Sequence, residues 1–208
     1  MKRIPLVPTV IVALAVAAMI ALGLWQLLDR RPQKLAFLSR LERNPALPAI
    51  AFPRVPDDSL LFRKSSGYCL PPVTITLAGA GAAGFRAIAA CRTGAEGPGL
   101  LVQLGTTRDP AARPTWPGGM VSGYLSHAPD SRSLLATLVH HEPQRMMLIA
   151  DRPASGLAPN APPDVDAVPN NHLAHAGQWF FFAAIAAIIY GLALRHRARA
   201  VVAAPAGR

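Results

Sequence analysis

Cysteine is scarce in this chain. There are two, Cys69 and Cys91, and no CxxC pair, so neither a zinc cluster nor a thioredoxin-type dithiol is indicated. Two outcomes stay open for them: a bridge between neighbouring strands in an oxidising compartment, or two separate buried thiols. Catalytic signatures are missing too. There is no GxSxG, no P-loop and no kinase motif, and Ser126-His127 has no evident orienting partner. The chain reads as a non-enzyme. Acidic residues are few, 11 against 21 Lys and Arg. The excess is carried largely by the tails, in Lys2, Arg3, Arg195, Arg197, Arg199 and Arg208. Basic tails of this kind belong to membrane topology, so nucleic acid is not an expected partner. No Arg- and Ser-rich transit peptide and no internal repeat is present.

Apolar residues, by contrast, make up 51% of the chain, with mean hydropathy +0.29, and they concentrate at its two ends. Residues 4–28 form an apolar run behind Lys2 and Arg3. That is too long for a secretory core and reads as an uncleaved anchor, with Ala13, Ala15 and Ala17 leaving cleavage open as the alternative. Residues 176–194 carry no charge and, at about 1.5 Å per residue, nearly cover a hydrocarbon core of roughly 30 Å. Asn170 or Asn171 suits the helix cap, Trp179 the headgroup level, and Arg195, Arg197 and Arg199 the far end. Lipid is therefore the first partner. His172, His175 and Trp179 stand at i, i+3 and i+7, which puts two imidazoles and an indole on one stripe of that helix.

Two spans put both tails on one side and the middle on the other. Arg30, Arg31, Lys34, Arg40 and Arg43 follow the first span, but a long domain translocates despite such charge, so the reading is tails inside and domain outside. The expected order is an anchor at 1–29, an extracytoplasmic β-rich domain at 30–152, a Pro-rich strap at 153–171, a second transmembrane helix at 172–195 and a basic cytoplasmic tail at 196–208. Within the domain, Leu35, Leu38 and Leu41 mark a short amphipathic helix ended by Asn44-Pro45. Residues 73–77, 85–92, 100–104, 120–125 and 146–149 are strand-like, and 133–141 suits one interrupting helix. The segments between the strands are too short for repeated parallel crossovers, which favours antiparallel hairpins. The strap holds five prolines and should be extended. The fold class is an α+β membrane protein: two transmembrane helices flanking an extracytoplasmic, mainly antiparallel β domain.

Two patterns invite chemistry and fail on spacing. Gly79, Gly81 and Gly84 spell GxGxxG after a strand, but no helix and crossover fit behind them, so a hairpin tip is the reading. His140, His141 and Glu142 do not make HExxH, because adjacent imidazoles point apart. With Met146 and Met147 they suggest a soft-metal (copper) carrier at most. His172 and His175 admit two accounts: interfacial helix-start residues, or an imidazole that ligates haem iron with the macrocycle against membrane-facing side chains.

The two ends of the chain resemble the Surfeit locus protein one family of cytochrome c oxidase assembly factors. PNNHLAHAGQWFFFA is similar to that family's Asn-Asn-His-Leu-x-Tyr-Ala followed by a Trp-Phe pair. LGLWQLLDRRPQKLAFLSRLERNPALP is similar to its Gly-x-Trp-Gln motif, Arg and Lys run and Leu-rich helix. Departures stand beside these matches. Asp29 looks like an inserted residue before Arg30-Arg31, and His175 replaces an aromatic. Val102, Gln103, Leu104, Gly105 and Thr106 stand where the family has Val-Asn-Arg-Gly-Trp.

The resemblance implies a divergent bacterial member in the inner membrane that binds haem a. Its implied partners are the catalytic subunit of a terminal oxidase and the haem a synthesis enzymes. It places the iron ligand at His172, with His175 a second candidate by position alone. Trp25-Gln26 closes the first span and Gln178-Trp179 opens the second, so Trp25 and Trp179 are expected at one membrane level. A shallow apolar site would lie between the helix ends, roofed by the middle domain, with Gly23 and Gly177 letting the helices approach.

Overall fold

The computed structural model describes residues 5–94, 99–130 and 143–203. The chain divides into two compact units, Met1–Ala36 with Val168–Arg208, and Phe37–Ala167. The expected helix at 133–141 and the His140, His141 and Glu142 group lie outside the described residues.

The first unit is a helix pair. Helix α1 (Leu6–Trp25) is made of unbroken apolar sequence and is about 30 Å long. A five-residue π-helical segment, Gln26–Arg30, follows it, and the Arg31 N–H donates to the Gln26 carbonyl in the i+5 pattern that defines such a turn. Helix α2 (Arg31–Arg43) continues from there. The residue that looked inserted, Asp29, sits inside the π segment, where its carboxylate accepts from Gln33 Nε2 at 2.8 Å. The last helix, α3 (His172–Ala203), begins at the expected residue but runs past the uncharged stretch into the basic tail. Two helices are thus long and apolar enough to cross a membrane.

Helices α1 and α3 run antiparallel. The Tyr190 and Thr9 hydroxyls hydrogen-bond near one end, and Gln26 meets His172 near the other. Between them Gly23 is buried: a Cβ there would sit 2.7 Å from the Phe180 ring, so glycine is what lets the ring close on the α1 backbone. Gly177 plays no such part, since a Cβ on it would meet nothing within 4 Å. The outward faces carry Leu6, Val7, Ile11 and Leu14 on α1 and Phe181, Ile188, Ile189 and Leu192 on α3, all exposed.

The second unit is built round a closed sheet. Strand β1 (Ile50–Ala51) pairs parallel with β2 (Lys64–Gly79). The second half of β2 pairs antiparallel with β3 (Phe85–Arg92), and β3 with β4 (Gly99–Thr107). Strand β4 lies parallel to β6 (Met146–Ala150), which pairs antiparallel with β5 (Gly119–His127). Strand β5 then pairs with the first half of β2 and closes the ring β2–β3–β4–β6–β5. Five strands closed in this order form a small barrel. The sheet is mixed rather than purely antiparallel. Pro71-Pro72 sits at the bend of β2, where the ladder shifts register between Leu70 and Thr74, as residues without N–H donors require.

Alternation fills the barrel. Leu100, Val102 and Leu104 on β4, Leu125 on β5 and Leu148 on β6 are fully buried, each contributing roughly 2 kcal/mol of apolar burial, while Met147 is buried on the opposite face of β6 with Ile88 and Ala128. Met146 and Met147 are both buried in the barrel unit. The GxGxxG stretch is the β2–β3 hairpin tip, with the Ala80 N–H bonded to the Gly84 carbonyl and positive φ at Gly81 and Gly84. Cys69 and Cys91 form a disulfide with a Cα–Cα distance of 5.5 Å, settling the pairing in favour of the bridge.

Leu41, the last residue of the expected Leu stripe, is fully buried, whereas Leu35 is exposed. Asn44 ends the helix and is itself buried, its amide donating to the Ser59 and Leu61 carbonyls at 2.8 and 2.7 Å. Asp57 caps the next 3₁₀ turn, and hydrogen bonds from the Ser59 side chain and backbone hold its carboxyl below the usual carboxylate range. The first part of the Pro-rich strap does not run free. It docks on β4 through Ala154, Ala158 and Asn160.

Candidate functional site: the heads of the apolar helices

His172 is the first residue of α3 and half-buried. Its helix starts there because the His175 N–H closes the first turn on the Asn171 carbonyl at 3.0 Å, leaving Asn171 in the capping position. The Nδ1 atom of His172 lies 2.7 Å from Gln26 Oε1. Gln26 opens the π segment, so this contact ties the head of α3 to the end of α1. An amide oxygen only accepts, so the proton of this bond is on Nδ1.

The remaining residues divide. Trp25 immediately precedes Gln26, is half-exposed, and carries the Arg30 guanidinium 5.4 Å from its ring centroid. Trp179 is half-buried two turns into α3. His175 is exposed, and what it gives the helix head is its backbone N–H. On the i, i+3, i+7 stripe, His172 is the residue joined to α1 through Gln26, and His175 is exposed. Gln26 enters the sequence reading only as half of the Trp25-Gln26 pair that closes the first span, with no partner assigned to it.

Other constellations are weaker. His127 does have a partner, Asp58, whose carboxylate is 2.8 Å from Nε2. Strand alternation sends Ser126 to the opposite face, so the pair has no nucleophile beside it in sequence. Among the described residues, no group of three or more His, Cys, Asp or Glu is disposed to hold a metal. An open groove of about 670 Å³ on the barrel unit, lined in part by Leu104, Trp116, Met120, Asp151 and Arg152, contains no residue of the helix-head set. Gly105 occupies the register irregularity of β4 with φ +148°, and a Cβ there would lie 2.7 Å from the Ala158 carbonyl. In the segment 102–106, that glycine admits the strap.

No curated protein and no solved structure matches this chain. A family model does: the SURF1 family matches residues 13–184, a span that takes in both helix heads and the whole barrel. By that match the chain belongs to the SURF1 family, whose members are associated with cytochrome c oxidase assembly.

Proposed function

We propose that this protein is a non-enzymatic, membrane-bound assembly factor for cytochrome c oxidase that holds haem a at the helix heads and helps deliver it to the catalytic oxidase subunit. The observation that carries this reading is His172, a half-buried imidazole that joins two apolar helices through Gln26, the residue that follows Trp25 and precedes Arg30 by one turn. An imidazole is a haem iron ligand, and exposed apolar helix surface suits a macrocycle. Arg30 and Arg31 supply cations at the same end for its carboxylates. In this reading His172 ligates the iron, Trp25 and Trp179 flank the ring, and His175 is secondary.

The same reading places α1 and α3 across a bacterial inner membrane, with the barrel outside and both tails inside. The exposed apolar faces call for lipid, and the Arg195, Arg197 and Arg199 cluster follows the positive-inside pattern. A disulfide in the barrel suits an oxidising compartment.

A second reading is a protein-only scaffold without haem. One observation favours it: Thr9–Tyr190 latches the same helix pair with no ligand involved, so Gln26–His172 is open to the same explanation. An absorption spectrum of detergent-purified protein, co-expressed with the haem a synthesis enzymes, separates the two. Wild type should carry a Soret band that survives washing, and His172→Ala should lose it. A colourless wild type leaves the scaffold.

A further inference from the structure

A histidine binds iron through whichever ring nitrogen lacks a proton, and in a neutral imidazole the other nitrogen decides which that is. His172 Nδ1 faces the Gln26 side-chain oxygen at 2.7 Å, a strong-hydrogen-bond distance. The acceptor is an oxygen, so Nδ1 holds the proton, and in the neutral ring the lone pair is then on Nε2. We propose that Gln26 is the positioning residue of the haem site: it fixes the His172 tautomer and ring orientation, and so presents Nε2 as the iron ligand. This rests on the haem reading given above and adds a residue to it.

Three features make the arrangement fit this role. Gln26 is held at its own height by the π turn, whose i+5 hydrogen bond from Arg31 starts at its carbonyl. The close approach at Gly23 and Phe180, three residues before Gln26 on α1, brings the two helices near enough for a short side chain to reach. His172 is the first residue of α3, where no preceding helical turn crowds the ring, so its orientation has to come from another element. Partners of this kind, bonded to the far nitrogen of a metal-binding histidine, typically matter 10–100-fold, on the order of that factor in metal affinity.

The role is separable from plain helix stapling. Gln26→Leu removes the acceptor, while Gln26→Glu keeps one in the same place. In full-length protein in detergent micelles without haem, nitrogen-15 NMR of labelled histidine should show His172 with its proton on Nδ1 in wild type and Gln26→Glu. In Gln26→Leu the proton should move toward Nε2. Titration with haem a should then show roughly 10-fold or greater weakening in Gln26→Leu, with recovery in Gln26→Glu.

A Gln26→Leu protein that melts at a lower temperature yet binds haem a like wild type would make Gln26 a staple and overturn the proposal alone. So would a wild-type His172 protonated on Nε2. If wild type takes up no haem a at all, the haem reading fails and the Gln26 role falls with it. Binding by wild type that is lost in His172→Ala but intact in Gln26→Leu leaves the haem reading standing.

Discussion

Several long-range connections in this molecule rest on single side chains. Asn160 shows how. Its amide nitrogen donates to the Gln103 and Ala150 carbonyls at 3.0 and 2.9 Å, and its oxygen accepts from Gln103 Nε2 at 2.8 Å. One residue of the strap thereby bonds to both β4 and β6, beside the backbone bonds that Ala154 and Ala158 make to β4. Asn160→Ala should destabilise the barrel by about 2–3 kcal/mol, because half-buried carbonyls lose their donor and no water path replaces all three bonds at once. Asn160→Asp should cost at least as much, since a carboxylate removes both donors. Denaturant midpoints followed by far-ultraviolet circular dichroism measure both, and a loss below about 0.5 kcal/mol for Asn160→Ala would mean the strap is held elsewhere. The partners of Asn160 and Gln26 were not legible in sequence, for the same reason. Each pairs with a residue far along the chain, Gln26 with one 146 positions away, and periodicity fixes a residue's face on its own element but not the rotational phase of the partner element.

At the level of elements, what was legible followed from local composition. The run 85–92 is bounded by Gly84 and by Thr93-Gly94 and becomes β3 with those limits. The Leu stripe and Asn44-Pro45 give α2 and its end. The first half of β2, KSSGYCL, escaped because Ser and Gly read as turn residues; the ladder to β5 makes it a strand. The parallel β4–β6 pair escaped for a topological reason. A crossover helix is one way to make strands parallel, but β5 does it here by returning antiparallel on the far side of β6. The π segment makes a sharper test. One inserted residue in an α-helix turns everything beyond it by about 100°, whereas a π turn absorbs it locally. Deleting Asp29 should therefore convert residues 26–30 to an ordinary α turn and change stability by less than about 0.5 kcal/mol, the cost of an exposed surface change. Deleting Ala18 inside α1 should rotate Thr9 away from Tyr190 or Gln26 away from His172 and lower the melting temperature of the detergent-solubilised protein clearly. Equal losses from the two deletions would contradict the absorption account.

Taken whole, the molecule joins a helix pair latched by polar contacts to a barrel whose ring is cross-linked once. The disulfide Cys69–Cys91 closes a loop of 22 residues in sequence separation, a size worth about 3 kcal/mol through restriction of the unfolded chain. Replacing both cysteines by serine should lower barrel stability by about that amount, and a reductant should do the same to wild type while leaving the double variant unmoved. Insensitivity of wild type to reductant would remove the bridge from the stability of the fold.

Closure of the ring has a bearing on how the barrel meets another polypeptide. Each strand from β2 to β6 has a neighbour on both sides along part of its length, and the one strand outside the ring, β1, is two residues long. A visiting polypeptide that binds by lengthening its host's sheet needs a free row of amides and carbonyls, and among the described strands the run 74–79 of β2, paired with β3 alone, is such a row. Elsewhere on the ring, a contact with another chain falls to side chains and loops, whose chemistry can change residue by residue without disturbing the fold beneath.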